Sequence, residues 1–366
     1  MTEANRKGKS MDLKTFLTEL AGTMSLDGYE YTAVPKLKEL FMPYFDECIE
    51  SGLGGCIFVR HSSTGEKYKL MLDAHIDEVG MMVKSVDDDG MLTICGVGLD
   101  ARILPCTDVI VYGKESIPGV VCPWPSKPQK PADAENLVPV SDLAIDTGLP
   151  AEKLRSLVRV GTPVGFKPVY TALGNNKIAG KAFDDKACAV VPARAVEMLG
   201  DNVPCEIYVS LSPREEATRV NGALAASDTI EPDAAIVIDV NFAMAPEGKP
   251  DLQPSIGSGA SLTVSTILDR EWTRLFSDTA KEINAELLES VCPTSTGTNA
   301  VAVSASGVPT ADIGIPLLFM HTQNEVVSTD DIETTARLIA AVITKKFGGD
   351  ISGFVKPKQE GDGKNE

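Results

Sequence analysis

Apolar positions recur every three to four residues over 11–20 and 31–45, which predicts two N-terminal helices, the second with Pro35 in its first turn. The short apolar runs 55–60 and 68–73 predict strands, joined through the turn-rich Ser62-Ser63-Thr64-Gly65. From 79 to about 167 the pattern changes to short strands at 81–86, 91–95, 109–112 and 119–122, separated by turn clusters such as Asp87-Asp88-Asp89-Gly90. Only 151–157 reads as helical there, so the segment is a small all-β module, interrupted by a Pro-rich loop at 123–131. Beyond Gly180 strand and helix alternate: helix 186–199, strands 206–211, 234–238 and 261–267, helix 271–289, strands 300–304 and 314–320, and a closing amphipathic helix 331–347. Asp330 and Glu333 read as the acidic cap of that last helix. Such alternation predicts a mostly parallel or mixed α/β sheet with helices on both faces. The expected architecture is one α/β domain (11–75 and 168–347) interrupted by a β insert (76–167), with a polar, Gly-rich tail (348–366) expected to be unstructured. No internal repeat is visible.

Length and composition agree with this. The 366 residues exceed one ordinary core, and 43% hydrophobic with 23% charged residues is the balance of a globular protein. Thirty-four Lys and Arg against 52 Asp and Glu give a net charge of −18, which argues against nucleic acid and anionic membrane surfaces as partners. No apolar run approaches the roughly 20 residues needed to span a bilayer. The first ten residues are polar and carry no signal-like stretch, so a cytoplasmic location is expected. The eight cysteines are scattered without a Cys-x-x-Cys, and most are expected to be small buried hydrophobes in a reducing compartment.

Histidine is scarce: His61, His75 and His321 are the only ones. His75 follows the apolar run Leu70-Met71-Leu72, and His321 follows Pro316-Leu317-Leu318-Phe319-Met320. Asp239 ends another apolar run, Glu215 and Glu216 come just after a fourth, and Asp184-Asp185 stand immediately before a helix. Singly, each has an ordinary reading as a cap, a turn or a solvated group. Together they crowd the carboxyl ends of strands, where open α/β sheets bind ligands. Imidazole plus carboxylate without cysteine suits zinc, cobalt or manganese. Two divalent ions about 3.5–4 Å apart, sharing one carboxylate, are a common hydrolase design. Adjacent glutamates can then serve as one ligand and one base, and Asp77 can hold the His75 ring through its second nitrogen.

These stretches carry a family resemblance. His75-Ile76-Asp77-Glu78-Val79-Gly80, Gly180-Lys181-Ala182-Phe183-Asp184-Asp185-Lys186-Ala187, Glu215-Glu216, Ile238-Asp239-Val240 and Met320-His321-Thr322-Gln323-Asn324-Glu325-Val326-Val327 resemble the cytosolic di-metal tetrahedral aminopeptidases, which include glutamyl and leucyl aminopeptidases and have often been labelled endoglucanase M. The similarity runs from about Leu13 to about Phe347. The resemblance implies a zinc-exopeptidase-like catalytic domain interrupted by a small β-barrel-like dimerisation domain. It also implies two divalent metal ions per subunit, zinc first and cobalt or manganese as alternatives. His75, Asp184 and Asp239 would hold one ion, and Asp184, Glu216 and His321 the other, with Asp184 bridging. Glu215 would be the general base acting on a water that bridges the ions, and Asp77 the partner of His75. The Asp184–Asp185 peptide would be cis. The implied activity is removal of N-terminal residues from short peptides, and the implied assembly is a homo-oligomer built from dimers, up to a tetrahedral dodecamer.

Three stretches depart from the family pattern. Ala217-Thr218-Arg219 replaces Val-Gly after the glutamates, Asn299 replaces the Asp of Gly-Thr-Asp-Ala, and Leu317-Leu318-Phe319 stands where an Arg usually precedes the last histidine. No substrate preference is therefore carried over. A glycoside hydrolase is disfavoured, because 5% aromatic residues offer few sugar platforms and the histidines would have no task. The stronger rival is a catalytically inactive, self-assembling metal-binding protein. Among lesser features, His61 reads as a solvated hairpin residue and Ser255-Ile256-Gly257-Ser258-Gly259 as an ordinary turn. Trp124 reads equally as an assembly anchor or as cover for the insert's core.

Overall fold

The computed structural model describes residues 10–123, 138–218, 221–246, 248 and 253–357. Trp124 and most of the Pro-rich loop lie outside them. The chain begins with α1 (Leu13–Gly22), capped by the Asp12 side chain, then α2 (Val34–Phe41) with Pro35 in its first turn. Strands β1 (Glu47–Glu50), β2 (Cys56–Arg60) and β3 (Lys69–His75) follow. The insert contributes β4 (Gly80–Val86), β5 (Met91–Val97), β6 (Asp108–Tyr112), β7 (Ser116–Pro123), β8 (Leu143–Asp146), α3 (Ala151–Leu157) and β9 (Pro163–Phe166). The rest of the chain adds β10 (Thr171–Ala172), β11 (Lys177–Gly180), α4 (Phe183–Leu199), β12 (Glu206–Ser212), α5 (Glu215–Thr218), α6 (Asn221–Ile230), β13 (Ala234–Phe242) and β14 (Ala260–Ser265). It ends with α7 (Arg270–Glu282), β15 (Leu287–Cys292), α8 (Ala300–Ala305), β16 (Thr310–Leu317), β17 (Glu325–Ser328) and α9 (Thr329–Lys346).

Eight strands form one mixed sheet in the order β1-β2-β12-β3-β13-β16-β14-β15, and β12, β3, β13 and β16 run parallel at its centre. Those four are buried on both faces and read as near-continuous apolar runs for that reason. Leu70, Leu72 and Ala74 face the large core beneath α4 and α9, while Met71, Ala235 and Val237 face α6 and α8. The insert closes into an antiparallel barrel, β4-β5-β8-β7-β6-β9, with its own core around Val83, Val109, Val121 and Val164. The expected fold class, a mixed α/β sheet covered on both faces and interrupted by a β-barrel, is the fold observed.

Several elements differ from the reading of the pattern. Residues 300–304 form part of α8, not a strand; an Ala-Val alternation this short fits either state, and the back of the sheet needs cover at that point. The helix expected over 271–289 stops at Glu282, where Asn284 adopts a left-handed conformation (φ 51°), and the chain turns into β15. The cap of α9 is Ser328, which accepts from the Asp330 amide; Glu333 pairs with Arg194 instead. The turn at 255–259 is held by the Asp331 carboxylate, which accepts the Gly257 and Gly259 amides at 2.8 and 2.7 Å. Cys56, Cys188 and Cys205 are buried, whereas Cys95 and Cys106 are exposed and Cys48, Cys122 and Cys292 half-buried, so most cysteines are not core residues. The tail is not unstructured from 348 onward: a 3₁₀ turn (Ser352–Phe354) docks where Arg337 donates to the Phe354 carbonyl at 2.7 Å. Residues 358–366 lie outside the described residues.

One buried carboxylate beneath the sheet makes a stability prediction. Asp312 on β16 is 3% exposed, one of its oxygens lacks a hydrogen-bond partner, and burial pushes its pKa up to about 7 against the hydroxyls of Thr263 and Thr298. The native state therefore holds a proton that the unfolded chain has released between pH about 4 and about 7, so stability falls as pH rises through that window. Asp312→Asn is expected to stabilise the protein by roughly 1–2 kcal/mol at pH 8 and to change little at pH 4. Urea unfolding at both pH values measures this, and an equal effect at both would show that the charge is not the cause.

Candidate metal centre

The parallel strands deliver their C-terminal ends to one edge of the sheet, and the polar residues of interest gather there. His75 is the last residue of β3, Asp239 lies near the end of β13, Glu215 and Glu216 open the short α5 beyond β12, and His321 follows β16. Asp184 enters at the start of α4, where the Asp184–Asp185 peptide is cis. His75 Nε2 lies 3.2 Å from Asp184 Oδ1 and 4.0 Å from Asp239 Oδ1. His321 Nε2 lies 3.2 Å from Asp184 Oδ2 and 3.1 Å from Glu216 Oε1. Asp184 thus turns one oxygen to each imidazole. In each triad, His75–Asp184–Asp239 and Asp184–Glu216–His321, the candidate ligand atoms lie within 4.8 Å of one another.

The surroundings orient these groups. The His321 Nδ1–H donates to the Gly98 carbonyl of the barrel at 3.0 Å, which leaves Nε2 as the nitrogen that faces the carboxylates. Asp77 Oδ1 approaches His75 Nδ1 at 3.4 Å, longer than a good hydrogen bond. Its stronger contacts are with the glutamate pair: Oδ1 accepts the Glu215 amide at 3.0 Å and Oδ2 the Glu216 amide at 2.8 Å. Asp77 therefore anchors α5 as much as it steers the histidine.

Charge at the centre is unevenly compensated. Burial opposes protonation of His75, but Asp77 and Asp184 lift its pKa well above the usual histidine range. Burial likewise works against His321, and its contacts with Asp184 and Glu216 push it up to about 11. Burial alone would raise Asp184, yet the two imidazoles hold it well below the carboxylate range. Burial first and Asp184 second push Glu216 up to about 7, and burial with Asp185 drives Asp239 well above its ordinary value. Three carboxylates and two imidazole nitrogens converge at a spacing that favours positive charge between them. Two nitrogen donors with oxygen donors and no thiolate fit divalent zinc, cobalt or manganese.

Two organising residues carry no signal in the hydropathy pattern. Glu325, buried, accepts the Phe183 and Asp184 amides at 2.6 and 3.1 Å through Oε2 and the His321 amide at 2.8 Å through Oε1. One side chain thus fixes the backbone of a residue in each triad, and its spacing four residues after His321 was the available clue. Glu78, also buried, pairs with both Lys181 and Lys186 and accepts the Ser25 amide at 3.2 Å, which ties the start of the barrel to the edge of the sheet.

The departures from the family pattern have definite places. Asn299 is buried below the centre and donates from Nδ2 to Asp73 Oδ2 and to Ser212 Oγ, both at 2.9 Å. An amide can donate there, beside a carboxylate two residues before His75, where a second carboxylate could not. Phe319 is exposed and left-handed (φ 60°), and Leu317 is buried. Ala217 is exposed, while Arg219 lies outside the described residues. His61 takes no part: just beyond β2 it bridges Glu206 of β12 and Glu47 of β1 at 2.8 and 3.1 Å.

Comparison with known proteins matches the chain to one family. The family model described as M42 glutamyl aminopeptidase matches residues 54–338. A lysyl aminopeptidase of Pyrococcus furiosus is 29% identical over 329 residues, covering 87% of this chain and 93% of that protein. The crystal structure of a TET aminopeptidase from a marine-sediment Thaumarchaeota archaeon superposes with a TM-score of 0.85 at 26% identity, covering 93% of this chain and 98% of that one. The Pyrococcus horikoshii TET1 peptidase, described as assembling into a tetrahedron or a large octahedral shell, shares the fold at a TM-score of 0.78 and 23% identity, covering 91% and 99%.

Proposed function

Since this chain belongs to the M42 glutamyl aminopeptidase family, we propose that it is a cytoplasmic, two-metal aminopeptidase that removes N-terminal residues from short peptides. The observation that carries the reading is the pair of triads sharing Asp184. His75, Asp184 and Asp239 would hold one ion and Asp184, Glu216 and His321 the other, zinc being the first choice for this donor set. Bound there, the ions would supply Lewis acidity to the scissile carbonyl and to the attacking water.

The chain's own residues supply the rest. Glu215 stands beside Glu216 with its amide tied to Asp77 at 3.0 Å, so its carboxylate is carried by a fixed turn. In this reading it takes the proton of the attacking water and delivers it to the leaving amine. Asp77 is a positioning residue, holding the glutamate pair and the far side of the His75 ring. The barrel would pair copies of the chain, in keeping with the assembly described for the TET1 peptidase. The names attached to the family and to the Pyrococcus furiosus relative differ, glutamyl against lysyl, and do not fix the preferred residue.

Amino-acid release from short peptides with free and N-acetylated termini tests the proposal on protein loaded with two divalent ions per subunit. Free termini should be cleaved and acetylated ones spared, with activity lost in chelator and restored by the ion. Loaded protein that cleaves neither would leave the inactive, self-assembling metal binder as the better account.

A further inference from the structure

Two segments far apart in the chain are laced together behind the glutamate pair. Residues 25–27, in the loop after α1, run beside 76–78. Leu26 and Glu78 form a parallel bridge, Ser25 Oγ donates to the Ile76 carbonyl at 2.5 Å, and the Glu78 amide donates to the Ser25 carbonyl at 3.1 Å. The loop then enters a 3₁₀ turn (Glu30–Thr32) whose first residue, Glu30, is 0% exposed. Carboxylate oxygens of Asp27, Glu30 and Asp77 lie within 4.8 Å of one another, so the laced segments present Glu30 and Asp77 side by side. What these two meet is three consecutive amides. Glu30 Oε1 accepts the Arg214 amide at 2.9 Å, Asp77 Oδ1 the Glu215 amide at 3.0 Å and Asp77 Oδ2 the Glu216 amide at 2.8 Å. Arg214 is left-handed (φ 64°), a conformation that residues with a side chain adopt only where the surroundings impose it.

The turn at Arg214 is the last backbone step before Glu215, so it decides the direction in which that side chain leaves the end of β12. An apolar residue of the same size would be cheaper to bury at position 30, but it would leave the Arg214 amide without its acceptor. We propose that Glu30 is a positioning residue for the reaction: its Oε1 fixes the left-handed turn at Arg214 and thereby aims the Glu215 carboxylate. The oxygen acts as an acceptor and not as a charge, because its partner is a neutral amide and Oε2 has no hydrogen-bond partner. The inference rests on the aminopeptidase reading above and extends its machinery to the loop after α1.

The test sets Glu30→Met, which fills the space without a comparable acceptor, against Glu30→Gln, which keeps an oxygen for the Arg214 amide and can offer its NH₂ to Asp27 Oδ1, an atom lacking a donor. Glu30→Ala is carried beside them as a second deletion of the acceptor. Kinetics on metal-loaded protein use leucyl, glutamyl and lysyl p-nitroanilides, and metal content and amide hydrogen exchange around residues 213–217 are measured on the same samples. A misaimed base should lower kcat by about 10–100-fold in Glu30→Met with KM little changed and both ions retained. Exchange at the turn should quicken by about tenfold or more, and Glu30→Gln should restore both. In a Glu215→Gln background, Glu30→Met should cost almost nothing further, because the group it aims is already gone. A full additional loss there, a Gln variant as impaired as the Met one, or an ion shed by Glu30→Met would each overturn the proposal. Quickened exchange in Glu30→Met, in a protein whose wild type cleaves no anilide, would sink the aminopeptidase reading and leave Glu30 as the holder of the turn alone.

Discussion

Glu215→Gln is expected to lower kcat by about 10²–10⁴-fold, the usual worth of a positioned general base, with two divalent ions per subunit retained. Glutamine keeps the shape of the side chain, and the feature that places residue 215 is its backbone amide on Asp77, which the substitution leaves in place. Glu216, whose Oε1 lies 3.1 Å from His321 Nε2, keeps its carboxylate and its own amide contact with Asp77. Metal content by elemental analysis should therefore match the wild type while turnover collapses. Glu216→Gln makes the informative contrast, because it should lose one ion per subunit along with activity. If Glu215→Gln also shed metal, the two glutamates would have been assigned to the wrong tasks.

Asp184→Asn should have the widest consequences of any single change. Its two oxygens each face one imidazole at 3.2 Å, so the substitution weakens both triads together. Both ions should be lost and peptide release should become undetectable. Without added metal the substitution also breaks a buried contact with His75 and a partly exposed one with His321, and removing one member of a buried pair costs about 3–5 kcal/mol. The melting temperature should accordingly fall even in chelator, where loss of bound metal cannot account for it. Retention of a full complement of ions by the variant would remove Asp184 from the bridging position.

The central sheet was legible because four buried parallel strands read as apolar runs, and its edge was legible because scarce polar groups interrupt those runs. His75, Asp239 and His321 stand out by contrast with Leu72, Ile238 and Leu317, which precede them. What stayed hidden acts through the backbone or through three-dimensional pairing. Glu325 works on amides from two distant segments, Glu78 on two lysines a hundred residues away, and neither leaves a periodic trace. The α8 error came from an apolar run too short to carry a period, and the missed β15 from a left-handed Asn284 that a smooth amphipathic pattern conceals. The ordered turn after α9 was missed because Ile351 and Phe354 are isolated apolar residues in a polar stretch, and only the fold shows the core they pack against.

The join between sheet and barrel sets the terms for any attempt to exchange the insert. Only Ile76 to Val79 separate His75 from β4, and Ile76 donates to the Ser212 carbonyl at 3.0 Å while Asp77 and Glu78 are clamped as described. A chimera cut directly after His75 would import a foreign Asp77 and Glu78 with the new barrel, and with them the anchoring of the glutamate pair. The usable seams are Gly80 on the way in and Phe166 on the way out. Even there the donor barrel would have to present a carbonyl in the place of Gly98, since His321 leans on it. The insert is therefore no interchangeable cassette: the loop that leads into it and the turn after β5 are part of the machine that it would be asked to serve.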